Sequence, residues 1–282
     1  MKKALSLVLS FAILLLTFCF SAVAESEITA VAFGDSITAA GKWQKVLESE
    51  WGLKLVNKGV GGDSTRSARA RFQRDVLNLS PDLVFISFGT NDAAIDMAKH
   101  TPLEEFKENL AYFIDSCIDA GARVIVNIPI PIDDAPYLTR HEAEPFEPYG
   151  GPNGLLSLYA EAARGVALEK GVPFADVHKA FMQTENYKKY LSDGVHPTDA
   201  GYKLYGNTLL SLCRTLFAGD VNGDLSVSPL DYMLAKRHCL NMVELSAVWQ
   251  KRGDINGDGA LTAVDYALVK RICLGTYNPQ GY

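Results

Sequence analysis

Cysteine is scarce in this chain, five residues in 282, and one of them, Cys19, lies inside the N-terminal apolar run. The other four, Cys117, Cys213, Cys239 and Cys273, are too few and too far apart to make the disulfide framework that small secreted folds need. Cys117 falls in helical phase with Phe106, Leu110, Phe113 and Ile114, and Cys213 follows Tyr205, Leu209 and Leu212 in the same way. Both read as small core residues rather than nucleophiles. Basic charge is also short: 27 Lys and Arg stand against 33 Asp and Glu, a formal net charge of −6. A chain so balanced lacks the basic footprint that nucleic acid or an anionic membrane requires. Beyond the first 24 residues no apolar stretch is long enough to span a bilayer.

The N-terminus opens with Lys2 and Lys3, an apolar run from Ala4 to Phe20, and Ala22-Val23-Ala24 before Glu25. That order predicts a secretory signal peptide over residues 1–24, cleaved after Ala24. A retained anchor is the alternative, and the run is on the short side for it.

From there the pattern alternates strand and helix. Val31, Ala32 and Phe33 run apolar into Gly34-Asp35-Ser36, which delivers a serine to the end of a first strand; the same triplet would also serve as an ordinary helix start. A helix over 41–51 and a short strand over 53–56 lead to a glycine-rich loop, 57–64, and a charged helix over 65–79. Such a loop could cradle a phosphate, but no Lys-Ser/Thr pair closes it and no dinucleotide-binding spacing is present, which argues against nucleotide binding. A nearly continuous apolar strand over 82–88 ends in Gly89-Thr90-Asn91-Asp92. Helices over 104–120, 154–169 and 200–217 and strands over 123–128 and 172–175 complete an α/β domain with a parallel sheet. The stretch from Pro129 to Asn153 reads as one long loop above the same sheet edge, bringing Ile130, Tyr137, His141, Phe146 and Tyr149 toward a substrate cleft.

Ser192-Asp193-Gly194-Val195-His196-Pro197 stands before the last of those helices. An aspartate three residues from a histidine can take the imidazole Nδ1 proton and leave Nε2 as a base for a serine. Serine, backbone amide, asparagine amide and the Asp/His pair together make the inventory of acyl transfer. Gly34-Asp35-Ser36, Asn57 with Gly61-Gly62-Asp63, Gly89-Thr90-Asn91-Asp92 and Asp193-Gly194-Val195-His196-Pro197 resemble, in order, the four blocks of the SGNH (GDSL) hydrolase and esterase family. The resemblance covers residues 28–217, inside a catalytic domain placed at 25–218. It implies a three-layer, flavodoxin-like sandwich with Ser36 as nucleophile, His196 as base and Asp193 as its orienter. It also implies an oxyanion hole from the backbone amides of Ser36 and Gly62, or of its neighbour Gly61, and the Asn91 side chain. No cofactor is implied for catalysis. The blocks are similar to those of bacterial carbohydrate acetylesterases.

After Gly219 the character changes. Asp220-Val221-Asn222-Gly223-Asp224 recurs 34 residues later as Asp254-Ile255-Asn256-Gly257-Asp258, and Asp231 recurs as Asp265. Each copy offers oxygens at the spacing of a calcium loop that enters a helix: Asp220, Asn222, Asp224, Ser226, Ser228 and Asp231 in one, Asp254, Asn256, Asp258, Ala260, Thr262 and Asp265 in the other, with Ser226 and Ala260 offering main-chain carbonyls. The duplication, repeats 220–241 and 254–275, resembles a type I dockerin over 219–276, followed by a tail, 277–282. That resemblance implies a small all-α module with two calcium ions and a cohesin domain as partner. Leu225 stands where the first loop should have its glycine, which predicts a strained turn and a weaker first site. Positions 10 and 11, where the family reads its cohesin, carry Pro229-Leu230 and Ala263-Val264, an unmatched pair. The spacing leaves open whether Cys239 and Cys273 pair. No Pro-, Gly- or Ser-rich linker separates Phe217 from Asp220, so the module is expected close against the catalytic domain.

The combined expectation is a secreted, extracellular serine esterase that deacetylates plant cell-wall polysaccharide on a cellulosome scaffold. Its alternatives are a broader lipid or aryl esterase, and a non-catalytic scaffold-assembly or carbohydrate-binding protein.

Overall fold

The computed structural model describes residues 28 to 279. The expected leader, residues 1–24, lies outside them. Five parallel strands form one sheet in the order β2-β1-β3-β4-β5: β1 Ala30–Gly34, β2 Leu55–Gly59, β3 Leu83–Ser87, β4 Arg123–Asn127 and β5 Phe174–Ala175. This is the flavodoxin-like order, in which the direction of winding reverses between β1 and β3 and opens a crevice at their carboxyl ends.

The central strands are apolar on both faces because both are covered. Val31, Phe33, Val84, Ile86, Val124 and Val126 face a core closed by α3 (Thr65–Asp75), α4 (Leu103–Asp119) and α6 (Pro152–Glu169). Ala30, Ala32, Leu83, Phe85 and Ile125 face a second core under α2 (Lys42–Trp51), α7 (Val177–Met182) and α8 (Asp199–Leu216). Cys117 and Cys213 are buried in these cores, as their helical phase predicts, and the cysteines among the described residues are free.

Two sequence expectations are corrected. The second strand begins later than 53 and runs through Gly59, with Asn57 paired to Ala32 and Gly59 to Gly34. As an edge strand it carries polar residues that hide its pattern. Its end lies so close under the short helix α1 (Ser36–Ala39) that a Cβ on Gly59 would sit 2.1 Å from the Ala39 nitrogen. The 129–153 stretch is not one open loop: it holds α5 (Asp134–Tyr137) and a 3-10 helix, Glu144–Tyr149. Ile130 and Phe146 are core residues and Tyr149 is exposed, so only Tyr137 and His141 reach the cleft.

The C-terminal module holds α9 (Pro229–Cys239), α10 (Ala247–Gly253) and α11 (Ala263–Cys273). Ser228 with Asp231, and Thr262 with Asp265, form reciprocal capping boxes at the starts of α9 and α11. Its own core is small: Val221, Leu234, Ala235, Leu245 and Leu261. It is fastened to the larger domain by buried groups. Arg252, 4 % exposed, donates from Nε and Nη2 to the Trp51 carbonyl (3.2 and 2.9 Å) and from Nη1 to Asp220 Oδ2 (3.1 Å). Leu225 adopts a left-handed backbone, φ 65°, and its side chain joins the buried apolar cluster of Trp51, Leu53 and Phe217. The residue that departs from the loop pattern is thus a packing residue between domains. Among the described residues no helix is long and apolar enough to cross a membrane.

Candidate active site

Ser36 is the first residue of α1, directly beyond β1. Asp35 caps that helix, accepting from the Ile37 amide at 2.9 Å. Gly34 needs no unusual φ; it is glycine because a Cβ would meet Thr38 Oγ1 at 2.4 Å. Ser36 Oγ lies 2.9 Å from His196 Nε2, and His196 Nδ1 lies 2.8 Å from Asp193 Oδ2. The other Asp193 oxygen accepts from the amides of Val195 (3.0 Å) and His196 (2.8 Å). Burial opposes ionisation of Asp193, but these bonds outweigh it and hold its carboxyl down at about 2. An ionised Asp193 accepts a hydrogen bond from Nδ1–H, which fixes the tautomer and leaves Nε2 with its lone pair toward Ser36.

Asn91 follows β3, across the switch point from Ser36. Its Nδ2 donates to the Asp63 carbonyl at 2.9 Å, and its Oδ1 accepts from Lys99 Nζ at 2.7 Å. Gly62 lines the same cleft with a left-handed backbone, φ 76°. Gly61 does not line it. The cleft, about 460 Å³, is completed by Thr90, Met97, Lys99, Tyr137, Arg140, His141 and Val195. Tyr137 and His141 stack at 3.8 Å between ring centroids, and His141 Nδ1 bonds Asp96 at 2.8 Å. The arrangement supplies a nucleophile, a base, an orienter and donors facing one small space, the requirements of acyl transfer.

Three contributors were not singled out in the sequence. Arg71 donates to Asp63 Oδ2 (2.6 Å), the Lys58 carbonyl (2.8 Å) and the Gly34 carbonyl (3.1 Å), locking the ends of β1 and β2 and the turn bearing Gly62. It falls on the helical stripe of Ala68, Phe72 and Asp75, and a charge in a buried stripe is the signal that would have found it. Arg140 holds the Asp193 carbonyl at 2.9 Å. Lys99 and Arg140 sit on irregular segments with no periodicity to read.

Asp35 is 3 % exposed, and burial pushes its carboxyl up to about 7 against the pull of the Ile37 amide. A carboxyl raised in the folded state subtracts stability as pH climbs from its unfolded value toward the folded one. Asp35→Asn keeps the capping oxygen and removes the buried charge. Thermal denaturation should find it equal to the parent near pH 4 and more stable by roughly 4 kcal/mol near pH 8, three units at 1.36 kcal/mol each. An equal shift at both pH values would contradict the burial argument.

A family model for the GDSL-like lipase/acylhydrolase family matches residues 32–204. The chain belongs to that family. As a GDSL acylhydrolase it is a carboxylic ester hydrolase, and a second model, the dockerin type I domain, matches residues 218–274. The uncharacterized lipoprotein YqeF of Bacillus subtilis is 36% identical over 179 residues, 56% of this chain and 74% of that protein. An acetylxylan esterase of Geobacillus stearothermophilus is 28% identical over 206 residues, 69% of this chain and 88% of that protein. Among solved structures, a lipase/acylhydrolase from Enterococcus faecalis superposes with a TM-score of 0.57 at 26% identity, covering 66% of this chain and 94% of that one. The GDSL domain accounts for the sheet and the cleft, and the dockerin for the helices beyond Gly219.

Dockerins of this type bind calcium, and the donor set here fits a hard cation: carboxylate, amide and hydroxyl oxygens without sulfur or imidazole. In the second loop, carboxylate oxygens of Asp254, Asp258 and Asp265 lie within 4.8 Å of one another. Among the described residues the first loop does not form such a group, and its Asp220 is engaged by Arg252.

Proposed function

We propose that this protein is a secreted serine esterase that removes acetyl groups from plant cell-wall polysaccharide while its dockerin holds it on a cohesin-bearing cellulosome scaffold. The reading rests on one observation, the continuous relay from Asp193 through His196 to Ser36 beside Gly62 and Asn91.

In this reading His196 Nε2 takes the Ser36 proton as Oγ attacks the ester carbonyl. The Ser36 and Gly62 amides and the Asn91 Nδ2–H hold the negative oxygen of the tetrahedral intermediate. His196 returns the proton to the departing sugar hydroxyl, leaving an acetyl-Ser36 ester. Water, deprotonated by the same nitrogen, attacks that ester; as the C–Oγ bond breaks, His196 gives the proton back to Ser36 Oγ, and acetate leaves. Tyr137 and His141 stack along one wall of the cleft in which the acyl group would sit. The carbohydrate substrate is supported by the acetylxylan esterase relative and by the company a dockerin keeps.

Calcium completes the proposal. The first loop would hold it through Asp220, Asn222, Asp224, the Ser226 carbonyl, Ser228 and Asp231, and the second through Asp254, Asn256, Asp258, the Ala260 carbonyl, Thr262 and Asp265. Bound calcium supplies the charge that lets these carboxylates crowd together, and a module with so small a core depends on it to fold.

The test is acetate release from acetylated xylan beside hydrolysis of acetyl and octanoyl aryl esters. Acetate from xylan, with acetyl preferred to octanoyl, supports the proposal. Octanoyl preference with no acetate from xylan replaces the carbohydrate substrate with a lipid or aryl ester.

A further inference from the structure

Asn91 is useful as an oxyanion donor only if its nitrogen, and not its oxygen, faces the cleft. A primary amide is nearly symmetric in shape, so packing does not choose between the two orientations; hydrogen-bond partners do. The two partners here have opposite chemistry. The Asp63 carbonyl, 2.9 Å from Nδ2, can only accept. The Lys99 ammonium, 2.7 Å from Oδ1, can only donate. Flipping the amide would place N–H groups against the ammonium and two oxygens against each other. One Nδ2–H is thereby spent on Asp63 and the other is left for the cleft that Asn91 lines with Ser36 and Gly62.

Lys99 is held for this task by the main chain after it. The Thr101 amide donates to the Asp92 carbonyl at 3.1 Å, and His100 Nδ1 reaches the same oxygen at 2.6 Å. The loop beyond β3 therefore returns over its own beginning, bringing Lys99 Nζ back to Asn91, eight positions earlier in the chain. Lys99 has no intimate carboxylate partner among the described residues; its ammonium bonds the amide oxygen. A charged donor on Oδ1 also draws electron density from the amide and makes the opposite N–H a stronger donor.

We infer that Lys99 is a positioning residue for the ester-hydrolysing reaction, fixing and polarising the Asn91 amide so that its free N–H meets the oxyanion. The inference rests on the serine-esterase reading above. Because Lys99 acts on a group used in the transition state, its loss belongs in kcat and not in KM.

The experiment is a double-mutant cycle on full-length protein with calcium present, using an acetyl aryl ester and a boronic acid that mimics the tetrahedral intermediate on Ser36. Lys99→Met should lower kcat about tenfold with KM changed less than about twofold, against roughly 100- to 1000-fold for Asn91→Ala. Boronate affinity should fall in parallel with kcat. Lys99→Arg, which keeps a charged donor, should recover most of the loss. In the Asn91→Ala background, Lys99→Met should cost nothing further. A loss that appears in KM alone, that persists undiminished without Asn91, or that Lys99→Arg fails to recover while its thermal denaturation matches the parent would overturn the inference. So would a Lys99→Met enzyme equal to the parent. If Ser36→Ala or Asn91→Ala hydrolyses the ester as fast as the parent, the serine-esterase reading itself fails, a result the cycle separates from failure of the Lys99 role.

Discussion

Ser36→Ala should abolish ester hydrolysis, lowering kcat by roughly 10⁴- to 10⁶-fold, with the melting temperature unchanged within a degree or so. The serine hydroxyl makes one side-chain bond, to His196, and His196 keeps its bond to Asp193 when that hydroxyl is gone. Nothing in the two cores depends on it. His196→Ala should cost about as much, and the double variant scarcely more than either single one. The base has no function without the nucleophile, and the nucleophile is unactivated without its base. Activity left in all three variants would come from the Gly62 and Asn91 donors and from binding. Steady-state hydrolysis of an acetyl aryl ester, with circular dichroism to follow folding, measures each quantity. Multiplicative losses in the double variant would show that Ser36 and His196 do not act as one unit.

Arg252→Met should be the most destabilising single change at the domain junction, at roughly 3 to 5 kcal/mol. Arg252 is a buried cation that holds a fully buried Asp220 carboxylate on one side and the Trp51 carbonyl on the other. Removing it leaves an uncompensated buried charge and an unpaired carbonyl, both costlier than the packing that methionine restores. Burial already pushes the Asp220 carboxyl up to about 6 despite the opposing pull of Arg252. In the calcium reading proposed above Asp220 is the first ligand of the first loop, and calcium bound there would supply positive charge that the variant lacks. Thermal denaturation with and without a chelator should therefore find the gap between parent and Arg252→Met wider when calcium is stripped. A gap independent of calcium would mean that Arg252 and the first loop are not coupled.

Leu225→Gly tests the other half of the junction. The left-handed backbone at Leu225 costs about 1 to 2 kcal/mol in a non-glycine residue. Burying its side chain between the domains is worth about 2 to 5 kcal/mol by the usual cost of truncating a core leucine. Burial wins, so glycine should lower the stability of the full chain although it restores the common loop residue. A more stable glycine variant would make Leu225 a strained relic without a packing role.

The α/β alternation was readable because a sheet covered on both faces needs unbroken apolar strands, which β1, β3 and β4 have. The edge strand was misplaced because half of it faces solvent and loses that signature. Ser36, Asn91, Asp193 and His196 were legible as residue types in spaced blocks, since nucleophile, donor, orienter and base must each stand at a strand end or on a tight loop. Lys99, Arg71 and Arg140 were not, because only their hydrogen-bond partners, and not their spacing in the chain, tie them to the site. Lys99 lies eight residues from Asn91, Arg71 eight from Asp63, and Arg140 fifty-three from Asp193.

By itself the sequence determined the parallel α/β architecture, the acyl-transfer inventory and the duplicated Asp-rich loops of the dockerin, because each depends on local periodicity or on residue types at short spacing. The tertiary structure alone decided that Ser36, His196 and Asp193 stand in hydrogen-bond order, which way the Asn91 amide faces, and that Leu225 and Arg252 close the junction between the domains. Those facts depend on contacts between residues as far as 201 positions apart, and only the completed packing of both domains brings such groups within reach of one another.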